Sequence, residues 1–269
     1  MALITFIIPV RHQDNARDWK LLRANLEQTI ASISSQSYDD WRGVIVANHG
    51  ADLPELPEKF SVCRVDFSPN LFHEKKSSPT KEEFWDAFRL DKGRRVLAGM
   101  LGARDSTFFM IVDDDDFVSA NIATFAARNP EANGWVITRG YIWDHGGRIM
   151  LGHDDFNHVC GTCLIVNAAL YQLPDRFEDA SEEWIKSMLG SHHQIPKILT
   201  DRGTPLQPLP FRGAVYRVAH PGSHSATPSL IRRYFVTKAA LLKPSATIRN
   251  LRNLRRVDAQ AQREFFGVK

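Results

Sequence analysis

The sequence predicts an α/β fold: a doubly wound, largely parallel, Rossmann-like sheet flanked by helices, with a more antiparallel second half and a basic helical tail. Three observations predict it. Apolar, β-branched runs alternate with helical periodicity over the first 112 residues, the pattern of parallel strands joined by crossover helices. The run at 107–112 is apolar without a break, as suits a central strand covered on both faces, and it stops at four consecutive aspartates. At 269 residues and 43% hydrophobic, the chain is long enough for one large core.

Residues 4–10 form a short β-rich run that closes near Pro9. From Trp19 onward Leu22, Leu26, Ile30 and Ile33 recur on one face, which predicts a helix. Residues 41–47 predict a second strand closing at Asn48-His49-Gly50, and 60–67 a third after a Pro-rich connection. Thr80-Lys81-Glu82-Glu83 fits a capping box and opens a helical stretch to about Ala103, with an interruption expected near Lys92-Gly93. Beyond the aspartates, 119–128 reads as helix, 134–143 and 148–151 as a hairpin turning at His145-Gly146-Gly147, and 158–166 as a further strand. Residues 180–189 and 194–199 read as short helices, 214–218 as a strand, and the segment from about Pro228 as two helices divided at Pro244.

Composition narrows the class. Charged residues at 24% and aromatics at 10% are ordinary for a globular protein and exclude disordered, collagen-like and coiled-coil chains. Three cysteines are too few for a disulfide framework, so a reducing, cytoplasmic setting is expected. The first ten residues lack a basic n-region and carry Pro9, so they read as a buried strand and not as a signal segment. No apolar run approaches the roughly 20 residues of a spanning helix. The net charge of +3 hides an asymmetry: from Arg202 through Val257 there are eleven Lys or Arg and no Asp or Glu, leaving 23 basic residues against 31 acidic ones elsewhere. A basic tail on an acidic body predicts a polyanionic partner such as an anionic membrane surface, a phosphorylated substrate or nucleic acid. A solvated basic helix surface is the plainer alternative.

Asp113-Asp114-Asp115-Asp116 sits where a strand leaves the core. Four adjacent carboxylates repel one another, and a divalent cation is the remedy that hard oxygen ligands favour. In an extended segment Asp113 shares a face with Asp115, and Asp114 with Asp116. Either pair could hold Mg²⁺ or Mn²⁺, ions that complete their shell with substrate phosphates. Helix capping by Asp116 or Ser119 is the structural alternative, although a cap uses one side chain and not four.

Together, Ile4-Thr5-Phe6-Ile7-Ile8-Pro9-Val10, the helix end Ser32-Ile33-Ser34-Ser35-Gln36-Ser37-Tyr38, the strand at 43–48 and Val112-Asp113-Asp114-Asp115-Asp116 resemble family 2 glycosyltransferases. The likeness covers about the first 120 residues in order. It continues more weakly through the 161–166 strand and Tyr216-Arg217-Val218-Ala219-His220-Pro221-Gly222-Ser223-His224-Ser225. The resemblance implies a GT-A fold at 1–225, with a nucleotide-binding half at 1–118 and an acceptor-side half at 119–225, followed by a basic helical extension at 226–269. It also implies a metal-dependent, inverting transfer from a nucleotide-diphosphate sugar, with uracil the expected base, to a glycan or lipid-linked acceptor. Pro9, Val10, Arg11 and Asn48 would contact the nucleoside. Ala47-Asn48-His49 stands where the family commonly has an Asp. Asp91-Lys92-Gly93-Arg94-Arg95 replaces the family's Arg-Asn element, and Lys92 and Arg95 there could bind ribose or diphosphate by charge-assisted hydrogen bonds. Asp113 would touch the ribose or the metal, Asp114 would contact the nucleotide sugar, Asp115 would ligate the metal directly, and His220 or His224 could add a further ligand.

An inverting transfer also needs a general base on the acceptor side. The family usually supplies an Asp from an acidic pair. Here Phe177-Glu178-Asp179 competes with Gly190-Ser191-His192-His193-Gln194, and the spacing favours His193, with His192 and Asp179 behind it. Histidine suits the task because its ordinary pKa leaves the neutral form populated near pH 7. Helix capping or plain exposure is the structural alternative for both histidines. Cys160 and Cys163, placed on a strand, would point to opposite faces and read as packing residues rather than a zinc or redox pair. Two rival readings remain from the sequence. Asp114-x-Asp116 after an apolar strand matches the nucleophile motif of haloacid-dehalogenase-type phosphohydrolases, although at least three strands precede it. A non-catalytic module holding cation and polyanion is the other. Peripheral contact with the inner face of a membrane is expected of the tail, in preference to nucleic acid.

Overall fold

A computed structural model describes residues 2–73, 80–219, 229–235 and 244–268. In chain order its strands are β1 (Ala2–Pro9), β2 (Trp41–Asn48), β3 (Phe60–Val65), β4 (Ser106–Ile111), β5 (Phe117–Val118), β6 (Gly134–Val136), β7 (Gly140–Asp144), β8 (Ile149–His153), β9 (Leu164–Asn167), β10 (Gln207–Pro208), β11 (Ala214–Val218) and β12 (Leu254–Arg256). The helices are α1 (Trp19–Ser34), α2 (Lys81–Leu101), α3 (Ile122–Ala127), α4 (Glu182–Trp184, running into a π-helical turn at Ile185–Leu189), α5 (Ile195–Asp201), α6 (Leu230–Tyr234), α7 (Pro244–Arg252) and α8 (Ala259–Phe265).

The predicted α/β architecture is present as two mixed sheets flanked by helices. The larger sheet runs β10-β6-β9-β4-β1-β2-β3. β1 lies between β2 and β4 and is parallel to both, with Ile7 opposite Val44 on one side and Ile111 on the other. β3 extends the parallel set, whereas β9 runs antiparallel to β4. The strand order therefore reverses direction at β1: the chain moves outward to β2 and β3, then returns to the opposite side as β4. In such sheets the crevice outside the carboxyl ends at that reversal is where ligands bind. Pro9 and the aspartates end the two strands that flank it.

Local signals account for the helices. Asp18 caps α1 by accepting from the Leu21 N–H at 3.0 Å. Leu22, Leu26, Ile30 and Ile33 are all buried, as the periodicity predicts. Thr80 caps α2 by accepting from Glu83 N–H at 3.1 Å, but the Glu83 carboxylate accepts from the Thr80 hydroxyl at 2.7 Å and not from its backbone, so half of the predicted box forms. The interruption expected near Lys92-Gly93 does not occur, and α2 is continuous over 21 residues. Gly93 serves packing instead. A Cβ there would lie 2.7 Å from the Ile185 carbonyl oxygen, and one on Gly190 would lie 2.2 Å from that of Arg89. These two glycines let α2 and the π-helical turn touch backbone to backbone.

Other expectations are corrected. The strand expected over 134–143 is two short strands in different sheets, β6 in the larger and β7 in the smaller, and only β7 and β8 form the hairpin. The strand expected over 158–166 is confined to β9, so Cys160, Gly161 and Thr162 lie on the loop before it. The smaller sheet runs β12-β8-β7-β11-β5. Its outermost strand, β12, belongs to the segment expected to be a helical extension. Leu254-Arg255-Arg256 has the charged composition of an edge strand, which conceals it as a strand in the sequence. α8 then buries Ala261 and Phe265 against Phe117, Tyr141, Trp143, Met150 and Val215, so the end of the chain closes a second core directly behind the aspartate turn. Among the described residues no helix is long and apolar enough to cross a membrane.

Candidate active site

A cleft of about 220 Å³ opens at the reversal point. Its floor comes from the strand ends: Pro9 and Arg11 follow β1, and Asp113, Asp114 and Asp115 follow β4. One wall is a face of α2, on which Trp85, Phe88, Asp91, Lys92 and Arg95 recur at helical spacing. Val159, Gly161, Gly190, His192 and Tyr216 close the far side.

The four aspartates do not alternate along an extended strand. Asp114 and Asp115 form a turn, and Asp116 N–H donates back to the Asp113 carbonyl at 3.2 Å. The turn places the first three carboxylates in the cleft and sends Asp116 inward, where it is 1% exposed. There its carboxyl group accepts from Thr162 Oγ1 at 2.7 Å, Cys160 Sγ at 3.2 Å and Arg217 N–H at 3.3 Å. Burial, with Asp115 and Asp113 nearby, holds its pKa well above the usual carboxylate range. Asp116 is thus a structural anchor. The Asp114-x-Asp116 pattern that carried the phosphohydrolase reading is split, with Asp114 lining the cleft and Asp116 turned inward.

Thr162 ties the two sides together, because its Oγ1 also accepts from the Asp113 N–H at 3.0 Å. The Asp113 carboxylate accepts a short hydrogen bond from Lys92 Nζ. Burial by itself lowers the Lys92 pKa, but Asp113 and Asp116 outweigh it and the net shift is upward, so Lys92 is a cation in the cleft. Arg11 lies 3.8 Å from Asp114. Gly161 faces the Asp113–Lys92 pair: a Cβ there would sit 2.9 Å from Asp113 Oδ2 and 3.1 Å from Lys92 Nζ. Both neighbours are ends of side chains that can swing aside. Gly161→Ala is therefore expected to change Tm by no more than a few degrees and, if the cleft takes the nucleoside diphosphate that the sequence leads one to expect, to weaken its binding about tenfold, the cost of misplacing one charged contact. Isothermal titration of both proteins measures the ratio, and equal affinities would remove Lys92 and Asp113 from the binding surface.

Asn48, expected at the nucleoside, is 2% exposed and does not line the cleft. It accepts from Arg95 Nη1 at 2.7 Å and donates to the Phe67 carbonyl at 2.6 Å. Asp91 accepts from the same guanidinium at 3.1 and 3.3 Å. Arg95 is thus clamped from two sides, with Asn48 as its support. Val10 is fully buried and extends the β1–β2 ladder through its N–H to Val46 at 2.9 Å. Pro9, Arg11, Lys92, Arg95, Asp113, Asp114 and Asp115 are brought together.

The base candidates separate. Asp179 is exposed and paired with Arg176 at 3.1 Å, away from the cleft lining. His193 is exposed and also outside the lining. His192 lines the cleft, with its ring 3.9 Å from that of His193, and its buried Nε2 has no hydrogen-bond partner among the described residues. Burial, then His193, Lys92 and His158, pull its pKa down to about 3, so the ring is neutral. The Gly93–Gly190 contact that seats His192 beside Lys92 has no counterpart in local spacing, which is why the sequence ranked the neighbouring histidine first. His220 and His224 lie outside the described residues.

Two supporting residues went unrecognised in the sequence. Thr162 gives no signal by type or spacing. Arg217 is fully buried on β11, donates to Asn25 Oδ1, and places its guanidinium 4.4 Å from the Phe117 ring with Asp114, Asp115 and Asp116 in its field. The Asp91–Arg95 pair also went unread, although its i,i+4 spacing is the signal for it.

Among the described residues no three His, Cys, Asp or Glu side chains converge as a metal-binding group. The carboxylates facing the cleft fit a different kind of site, in which Mg²⁺ or Mn²⁺ takes two protein oxygens at most and completes its shell from phosphate and water.

No protein-family model and no curated protein matches the chain. Among solved structures it is similar to TarS residues 1–349 of S. aureus in complex with UDP-GlcNAc, at 13% identity and TM-score 0.46 over 86% of this chain. The chain spans 62% of that TarS fragment. It is also similar to a manganese complex of Rv0371C from Mycobacterium tuberculosis H37Rv, at 11% identity and TM-score 0.34 over 80% of this chain and 91% of that one. A third is a protein of Desulfovibrio desulfuricans G20, provisionally assigned as a nucleotide-diphospho-sugar transferase, at 11% identity and TM-score 0.38 over 93% of this chain and 99% of that one.

Proposed function

We propose that the protein is a glycosyltransferase that uses a nucleotide-diphosphate sugar, with a UDP-linked donor and a glycan or lipid-linked glycan acceptor. One observation carries the reading: cationic Arg11, Lys92 and Arg95 share a single cleft with the carboxylates of Asp113, Asp114 and Asp115 at the reversal point of a parallel sheet. A diphosphate bridged to a divalent ion matches both sets, anion to cations and cation to carboxylates. A phosphate alone would leave the carboxylates opposed to it.

In this reading Asp115, with Asp113 beside it, holds Mg²⁺ or Mn²⁺, which when bound supplies neutralising charge to the departing diphosphate. Lys92 and Arg11 hold the phosphates from the α2 and β1 sides. Arg95, fixed by Asp91 and Asn48, orients the ribose or the phosphate next to it. Transfer forms a bond from the acceptor hydroxyl oxygen to the anomeric carbon and breaks the bond from that carbon to the diphosphate oxygen, with inversion. His192 receives the hydroxyl proton on its free ring nitrogen. It is a weak base by virtue of its burial, and its contribution stands near the low end for general bases, about a hundredfold.

His192→Ala is expected to lower kcat about a hundredfold with donor affinity unchanged, and His193→Ala to lower it less than threefold. Because burial holds the His192 pKa at about 3, the kcat/KM profile should show no inflection from this residue near pH 6.5. Activity lost in His193→Ala and kept in His192→Ala would reverse the assignment. For the function as a whole, the protein is incubated with UDP-, GDP- and dTDP-sugars with Mn²⁺, with Mg²⁺ and with EDTA. One donor is expected to release nucleoside diphosphate only with metal. Turnover of a generic phosphomonoester with no nucleotide sugar consumed would point to a phosphohydrolase.

A further inference from the structure

α7 has one face turned to solvent, and that face is two-sided. Ile248 and Leu251, three residues apart, are 50% and 54% exposed along one edge. Arg249 and Arg252, also three apart, are exposed along the other. Thr247 and Asn250 are half-buried, and Asn250 donates to the Tyr234 carbonyl at 3.3 Å, so polar side chains lie against the protein while Ile248 and Leu251 face outward. β12 continues the pattern, with exposed Arg256 opposite exposed Ile149, beside exposed Arg148. No Asp or Glu occurs between Arg202 and Val257 to neutralise these arginines.

We infer that the outer face of α7, continued by the exposed Arg256–Ile149 pair, is a docking surface for an anionic lipid membrane. Two features select the occupant. The arginines complement a negatively charged surface, and the adjoining isoleucine and leucine match the boundary between headgroups and acyl chains. A nucleic-acid backbone would use the arginines and leave the apolar edge in water. The inference stands on this surface alone and holds whether or not the cleft transfers sugar. The two are nonetheless connected. β12 and β11, the strand bearing Tyr216 of the cleft, are ends of the run β12-β8-β7-β11, three strand spacings or about 14 Å apart. Docking through α7 would bring the cleft near lipid-borne molecules.

Sedimentation with vesicles tests it, using the full chain with neutral phosphatidylcholine vesicles and with vesicles containing roughly one third phosphatidylglycerol, the sort of anionic surface that attracts basic segments. Binding is expected only to the anionic vesicles and should weaken as salt rises. Arg249→Gln with Arg252→Gln should lower the partition coefficient about thirtyfold, the equivalent of ~1 kcal/mol per arginine. Ile248→Ser with Leu251→Ser should lower it about tenfold while Tm falls by no more than a few degrees, since about half of each side chain is already in water. No sedimentation with anionic vesicles at low salt overturns the inference. So does sedimentation that the Ile248→Ser, Leu251→Ser variant retains in full, particularly with equally tight binding to duplex DNA, which would mark the face as a general polyanion surface.

Discussion

Asp115→Asn is expected to reduce metal-dependent transfer about a thousandfold and to leave the fold intact. The magnitude follows from losing one preorganised charge contact to the developing diphosphate, a class of change that costs two to three orders of magnitude in rate, of order 3–4 kcal/mol. The fold survives because the Asp115 side chain is partly exposed on the cleft floor, whereas the turn is held by Asp116 through Thr162, Cys160 and Arg217. Asn keeps the shape of the side chain and loses only its charge. The repulsion that raises the Asp116 pKa falls by its largest charge contribution, that of Asp115. Stopped assays with the active donor at several Mn²⁺ concentrations measure the effect, and thermal unfolding without metal measures the fold. Full Mn²⁺-dependent turnover in the variant would place the ion elsewhere and leave Asp115 without its proposed role.

How much of this was legible depends on whether a feature is local. The strand–helix alternation, the α1 stripe and the unbroken β4 run are properties of neighbouring residues, and each forms as its pattern predicts. The cleft floor was legible for the same reason: residues at the ends of consecutive parallel strands must meet at one edge. The far wall was not. His192 outranks His193 only because Gly93 and Gly190 let two backbones touch, a contact between segments nearly a hundred residues apart. The inward turn of Asp116 depends on Thr162 and Cys160, which sequence periodicity placed on a strand that does not form. β12 was hidden because an edge strand guarded by arginines has the composition of an exposed helix. In each case the missing term was a tertiary contact that overrides a weak local preference.

Arg217 carries the second large effect, this time on stability. Its guanidinium is fully buried, and its Nε and Nη2 atoms have no hydrogen-bond partner among the described residues. Burial lowers its pKa, and Asp115, Asp116 and Asp114 oppose that fall. A buried cation so sparsely bonded is retained at a considerable desolvation cost, and the field of the aspartate turn is what offsets it. Removing the cation while leaving the carboxylates therefore costs more than removing both. Arg217→Met, which keeps an unbranched side chain against Phe117 and Trp143, is expected to destabilise the fold by about 3 kcal/mol, at the lower end for a broken buried charge pair because Asp115, the largest of the opposing charges, is partly exposed in the cleft. For a chain of this size that is a fall in Tm of about 6–12 °C. Adding Asp115→Asn to Arg217→Met should recover about 1 kcal/mol, a coupling that distant, independent sites do not show. Mn²⁺ alone should also raise the Tm of Arg217→Met by more than that of the parent, since the ion then replaces a charge the protein no longer supplies. An additive double variant would mean that Arg217 acts through packing on Phe117 and Trp143 and has no part in balancing the aspartate turn.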